Sequence, residues 1–185
     1  MKLFKPTNFF DKNEQNNVKW VCYNKKLMIS FSIHSAVFRL ETREFIPISL
    51  DKAWEFFSSP ANLKNITPPN MGFNITSPVE AKMYPGQIIT YKVSPFPLLK
   101  TNWVTEITQV KEYDYFVDEQ RFGPYTLWHH RHSFKQVDNG IEMLDVVHYK
   151  IPAWFLSKIV NQLFVKRKLL QIFTYRSKKL QEIFF

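Results

Sequence analysis

The chain is expected to fold as an α+β domain: a curved antiparallel sheet of seven strands, two short helices inserted after the first strand, and one long C-terminal helix. Three observations predict this. Residues from Phe73 to Ile151 form β-rich runs separated by turn signals, without a long helical period. Phe38, Leu40 and Thr42 alternate with Arg39, Glu41 and Arg43, the period of a half-buried strand. From Pro152 onward Phe155, Ile159, Leu163, Leu170, Phe173, Leu180 and Phe184 recur every three or four residues among lysines and arginines, which is the pattern of an amphipathic helix.

Taken in order, residues 1–35 hold Asn-Glu-Gln-Asn-Asn and scattered lysines with no sustained period, and read as a tail or an irregular arm. Met28 is a second candidate start, and the domain itself is placed at 36–185. The first strand begins at Ala36. After Pro47, Leu50, Trp54 and Phe57 fall at helical spacing with Ser49 as N-cap. A second short helix, Pro60 to Ile66, ends at Thr67-Pro68-Pro69. Strands follow near 72–77, 86–94, 101–111, 113–122, 125–137 and 141–151. Pro95-Phe96-Pro97-Leu98-Leu99 interrupts them as an apolar loop, a candidate lid. Pro152 stands where a helix tolerates proline, at its first turn.

Length and composition bound the function. One domain of 185 residues with 45% hydrophobic side chains has enough apolar material for a core, and Phe, Tyr and Trp reach 17%. So many rings suit a packed interior or a lined pocket equally. Cys22 is the single cysteine, so no internal disulfide forms. No apolar run of about 18 residues or signal-peptide pattern is present, and a cytoplasmic location is expected. The net charge of +9 is concentrated at the ends: +4 in residues 1–35, +6 in 153–185 and −1 between them. No nucleic-acid motif accompanies it, so nucleic acid is not an expected partner.

Asp138-Asn139-Gly140 is the strongest turn signal, because Asn-Gly readily takes the positive φ angles of a two-residue hairpin loop. Pairing Asp138 with Ile141 sets His132 opposite Val147, His130 opposite Tyr149 and Phe134 opposite Asp145. One face then carries Trp128, His130, His132, Phe134, Met143, Asp145, Val147 and Tyr149. The other carries His129, Arg131, Lys135, Glu142, His148 and Lys150, and belongs in water. Two imidazoles and a carboxylate on the inward face require hydrogen bonds or a ligand.

The element order, with Ile66-Thr67-Pro68-Pro69, Phe116-Val117-Asp118-Glu119-Gln120, Gly123-Pro124-Tyr125, the run from Trp128 to Phe134 and Phe173-Thr174-Tyr175-Arg176, resembles the SRPBCC superfamily of START-like and birch-pollen-allergen-like proteins. The resemblance covers residues 36–185 and looks closest to a bacterial branch labelled polyketide cyclase or cell-division inhibitor. It implies a helix-grip fold, in which a seven-stranded sheet grips the C-terminal helix around a cavity for an apolar molecule. Fold alone assigns no reaction.

The expected function is therefore binding or carrying a small hydrophobic ligand. Candidate ligand-binding residues are Trp103, Phe116, Gln120, Trp128, His130, His132, Asp145 and Tyr149. The polar ones are expected to form a buried network, with Gln120 as a fourth member, or to orient the ligand. His130, His132 and Asp145 also have the residue types of a metal triad. The expected register sets Asp145 against Phe134 instead, and no metal, cofactor or catalytic residue is assigned. A cyclase or dehydratase using a histidine with Asp145 or Tyr149 as acid and base is the alternative. Lys158, Lys166, Arg167, Lys168, Arg176, Lys178 and Lys179 read as a solvated helix face, with transient docking to an anionic membrane surface as the functional alternative.

Overall fold

The computed structural model describes residues 20–24, 27–78, 80–96, 99–152 and 157–185. Among them nine strands form one antiparallel sheet: β1 (Trp20–Asn24), β2 (Leu27–His34), β3 (Val37–Ile46), β4 (Asn74–Ile75), β5 (Gln87–Phe96), β6 (Leu99–Lys111), β7 (Tyr115–Phe122), β8 (Leu127–Val137) and β9 (Gly140–Lys150). Their spatial order is β1-β2-β3-β9-β8-β7-β6-β5-β4. Helix α1 (Leu50–Phe57) and the 3₁₀ turns Pro60–Ile66 and Pro69–Met71 follow β3. The C-terminal segment comprises α2 (Ser157–Val160), a π-helical turn (Asn161–Val165) and α3 (Lys166–Phe184).

Two strands lie upstream of the expected boundary at residue 36, so seven strands become nine. β2 pairs with β3 from Leu27 opposite Glu44 to His34 opposite Val37, and buries Leu27 and Ile29 in the core. The connecting turn uses Ser35 and Ala36 with φ of 47° and 64°. Neither is glycine or asparagine, so the hairpin carries no compositional turn signal. The tail reading is thus corrected for Trp20–Asn24 and Leu27–His34, and residues 1–19 lie outside the described residues. Met28 sits within β2 opposite Arg43, and a chain starting there would lack β1 and Leu27.

Local signals place the first helix well. Ser49 Oγ accepts a 3.3 Å hydrogen bond from the Lys52 amide, and Ala53, Trp54 and Phe57 face inward. Pro60 to Ile66 winds as 3₁₀ rather than α, tightened between Pro60 and Thr67-Pro68. The expected Pro95–Leu99 loop is corrected: β5 runs through Phe96, which pairs with Leu99 at the start of β6. Pro97 and Leu98 lie outside the described residues.

The β8–β9 hairpin differs in register from expectation by two residues. Its loop is Asp138-Asn139, Val137 faces Gly140, and only Asn139 of the pair takes positive φ, at 64°. Gly140 serves a close approach instead, since a Cβ there would lie 2.4 Å from the Ile46 carbonyl oxygen on β3. His132 therefore faces Asp145, His130 faces Val147 and Phe134 faces Met143. A slip of two keeps every side chain on its face. His130, His132, Phe134, Met143, Asp145, Val147 and Tyr149 are all buried.

The C-terminal segment lies on this inward face but is not one continuous α-helix. In the π turn Asn161 is buried, and its Oδ1 accepts a 2.8 Å hydrogen bond from the Tyr149 hydroxyl. From there Leu169, Phe173, Arg176, Ser177 and Leu180 form the buried stripe of α3. One apolar cluster joins α1, Phe116, Phe134, Ile141, Met143 and Leu180; another joins β2, Phe38, Leu40, Val147, Tyr149, Leu169 and Phe173. Phe155, with the rest of residues 153–156, lies outside the described residues.

Candidate functional site

Between α3 and the half of the sheet formed by β5–β8 lies a cavity of about 190 Å³, roofed by Phe56 and Phe57 of α1 and by the 3₁₀ turns. Strand alternation aims Ile89, Val93, Trp103, Ile107 and Phe116 into it, and α3 contributes Leu169, Ile172 and Phe173. Trp103 meets Trp128 edge-on at 5.3 Å and stacks near Tyr91 at 6.0 Å, making an aromatic wall. Trp103 Nε1 donates to Thr105 Oγ1 at 3.0 Å, and the Tyr91 hydroxyl lies 2.8 Å from the same oxygen. Burial, with the negative charge of Asp118, pushes the Tyr91 hydroxyl pKa up and keeps it neutral.

One patch of the wall is polar. The β7–β8 register sets Asp118 opposite His130, and the β8–β9 register sets His132 opposite Asp145. His130 Nε2 is 3.0 Å from Asp145 Oδ1, and its Nδ1 is 3.4 Å from Asp118 Oδ2. His132 Nε2 is 3.0 Å from Asp118 Oδ2, and its Nδ1 is 2.7 Å from Asp145 Oδ1, though without hydrogen-bond alignment. Each imidazole thus bridges two carboxylates. Thr42 Oγ1 donates to Asp145 Oδ2 at 3.3 Å, and Arg176 Nη1 lies 3.5 Å from that oxygen.

The charges explain how such a group tolerates burial. Burial disfavours both carboxylates, but His132, His130 and Arg176 outweigh it and hold Asp118 below, and Asp145 well below, the usual range. Burial also works against charge on both histidines. Asp145 and Asp118 overcome it at His132, whose pKa is raised; at His130 burial and the neighbouring His132 prevail and lower it. The guanidinium of Arg176 and the raised proton affinity of His132 thus oppose the negative charge of the two aspartates.

Of the residues read from sequence, Trp103, Phe116, Trp128, His130 and His132 line the cavity. Asp145 lies behind the histidines, 3% exposed. Tyr149 does not line it; its hydroxyl is committed to Asn161. Gln120 is not part of the network: its side chain donates to the Tyr125 carbonyl at 2.6 Å and accepts from the Tyr125 amide at 3.3 Å, closing the β7–β8 turn. The acid–base pairs that used Asp145 or Tyr149 therefore do not face a cavity ligand. Asp118, His130 and His132 do.

Two members were missed in the sequence. Asp118 lies between Phe116 and Gln120 on β7, so the same period-two reading points it inward. The charge pattern places Arg176 on a solvated basic face, yet it stands three residues after Phe173 and four before Leu180, on the buried stripe, and is 8% exposed. Lys168, placed on the same face, borders the cavity, where partial burial lowers its pKa.

The sequence matches no protein-family model and no curated protein at significant similarity. Solved structures do match. Protein Ms6760 from Mycobacterium smegmatis superposes with a TM-score of 0.60 at 16% identity, over 84% of this chain and 97% of that one. A protein from Arthrobacter aurescens gives 0.62 at 12% identity over 83% and 91%. Ginseng major latex-like protein 151 from Panax ginseng gives 0.57 at 11% identity over 82% and 99%. The fold is the helix-grip fold. The sheet carries two more strands, at one edge, than the seven expected from the sequence. Among the described residues no helix is long and apolar enough to cross a membrane.

Proposed function

We propose that the protein binds or carries a small apolar molecule in the cavity between the sheet and α3, as a member of the SRPBCC superfamily. The observation that supports this is the cavity itself: about 190 Å³ of space that twenty or more side chains border without filling, most of them apolar or aromatic. A close-packed interior leaves few voids of that size unless they are used. The cyclase and cell-division labels of the branch add no chemistry here, and neither reaction is assigned.

Titration with the apolar fluorophore N-phenyl-1-naphthylamine is expected to saturate at one molecule per chain. Ile89 is 6% exposed and lines the cavity on β5, so Ile89→Trp fills space at a cost of about 1–3 kcal/mol. It should weaken probe binding at least about tenfold, a difference of about 1.4 kcal/mol, while far-ultraviolet circular dichroism stays unchanged. Equal affinity in the folded variant would place the probe elsewhere and refute the reading.

A second reading concerns how a ligand enters. On α2 and the π turn Ile159, Leu163 and Phe164 are 57%, 45% and 54% exposed beside Lys158 and Arg167. Apolar side chains among lysines and arginines suit transient contact with anionic lipid. Sedimentation with phosphatidylserine-containing vesicles should exceed that with phosphatidylcholine alone, and Leu163→Ser with Phe164→Ser should remove the excess. Equal sedimentation with both vesicle types would dismiss this route.

A further inference from the structure

We propose that Asp118, His130 and His132 form a binding site for a divalent first-row transition metal, with its remaining coordination positions opening on the cavity. The inference does not require that the cavity hold an apolar ligand, although Asp118, His130 and His132 line that same cavity.

The first support is geometric. Asp118 Oδ2 lies 3.0 Å from His132 Nε2 and 3.4 Å from His130 Nδ1, and one ligand atom from each residue falls within 4.8 Å of the others. Donors sharing a metal at about 2.0–2.2 Å stand about 3.0–3.5 Å from one another in octahedral or tetrahedral arrangements. The three residues lie within the paired stretch of two adjacent strands, so their backbone positions do not depend on a loop.

The second support is what lies behind them. The two ring nitrogens that face away from Asp118, His130 Nε2 and His132 Nδ1, both stand close to Asp145 Oδ1, at 3.0 and 2.7 Å. A carboxylate behind a ligating histidine sets its tautomer and raises its basicity. Here the carboxylate is hydrogen-bonded to His130 and stands beside His132 Nδ1 without hydrogen-bond alignment, and Thr42 and Arg176 contact that carboxylate in turn. Neither the metal-triad pattern read in the sequence nor its register contained this arrangement, because Asp145 takes the supporting position and Asp118 the ligating one.

The third support is access. Asp118, His130 and His132 line the cavity, whereas Asp145 does not. Three protein donors with the remaining positions facing a cavity describe an open site, suited to a water or a ligand atom. Two imidazoles and one carboxylate select zinc, ferrous iron, cobalt or nickel over magnesium or calcium, which require more oxygen donors.

The test uses the full chain stripped with a chelator. Calorimetric titration with Zn²⁺ and visible absorption on adding Co²⁺ should both show one equivalent, with a Kd below about 10 µM. Asp118→Asn and His132→Asn should each abolish it, and Asp145→Asn should weaken it about 10–100-fold. Circular dichroism reports whether each variant folds, and His130→Gln replaces any that does not. His129 and His148, on the outer face with ring centroids 6.0 Å apart, are the competing donors, so His148→Asn should leave binding unchanged. The proposal is overturned if the unmodified chain takes up no metal. It is equally overturned if folded Asp118→Asn and His132→Asn proteins bind as tightly as the parent, or if His148→Asn removes the binding.

Discussion

Replacing Asp145 with alanine is expected to destabilise the chelator-treated protein by about 3–5 kcal/mol, the range for removing one partner from a buried charge group. The carboxylate is 3% exposed and receives Thr42, His130, His132 and Arg176. Without it Arg176 keeps its charge in a site where Nε and Nη1 already lack hydrogen bonds, and His132 loses its largest favourable electrostatic partner. The remaining aspartate, Asp118, cannot reach all of them. Urea unfolding at pH 7 should therefore show a lower midpoint at an unchanged slope. A loss below about 1 kcal/mol would mean that water replaces the carboxylate, and that the group is more open than its burial indicates.

The other large effect is expected at Trp54. Its indole is 6% exposed and meets Phe134 edge-on at 5.9 Å, Phe116 at 6.2 Å and Tyr113 at 5.9 Å, so it fixes α1 to β7 and β8. Trp54→Ala should cost about 3–5 kcal/mol, because the transfer energy of the ring is lost and the eight-residue helix cannot collapse fully into the space. Phe56 and Phe57 of the same helix roof the cavity. The variant should therefore also release N-phenyl-1-naphthylamine more readily. Unfolding by urea, followed by tryptophan fluorescence and by circular dichroism, checks the first expectation. A stability within about 1 kcal/mol of the parent would show that α1 is not anchored through this ring.

Much of the fold follows from local pattern. The N-cap at Ser49, the β-rich middle, the strand at β3 and the Phe173–Leu180 part of the apolar repeat depend on residues within a few positions of one another and are found where the sequence places them, whereas Glu41 of β3 is buried and Ile159 and Leu163 of the expected stripe are exposed. The inward face of β8 and β9 survives even the register error, since a two-residue slip preserves parity. The N-terminal hairpin escaped because Ser35 and Ala36 adopt positive φ without the residues that usually advertise it. The π turn escaped for a related reason, as it serves a hydrogen bond to Tyr149 rather than a pattern in its own residues.

Residue identity and period two were enough to put His130, His132 and Asp145 on one concave surface. They could not say which carboxylate meets which nitrogen. That depends on the β7–β8 and β8–β9 registers, which side-chain alternation leaves open by two residues. Nor could a list of basic residues single out Arg176, which is held inward because Asp145 and Asp118 supply the opposite charge there. Contacts between distant segments, enforced by close packing and by the cost of an unpaired buried charge, turned four strands and a helix into one site.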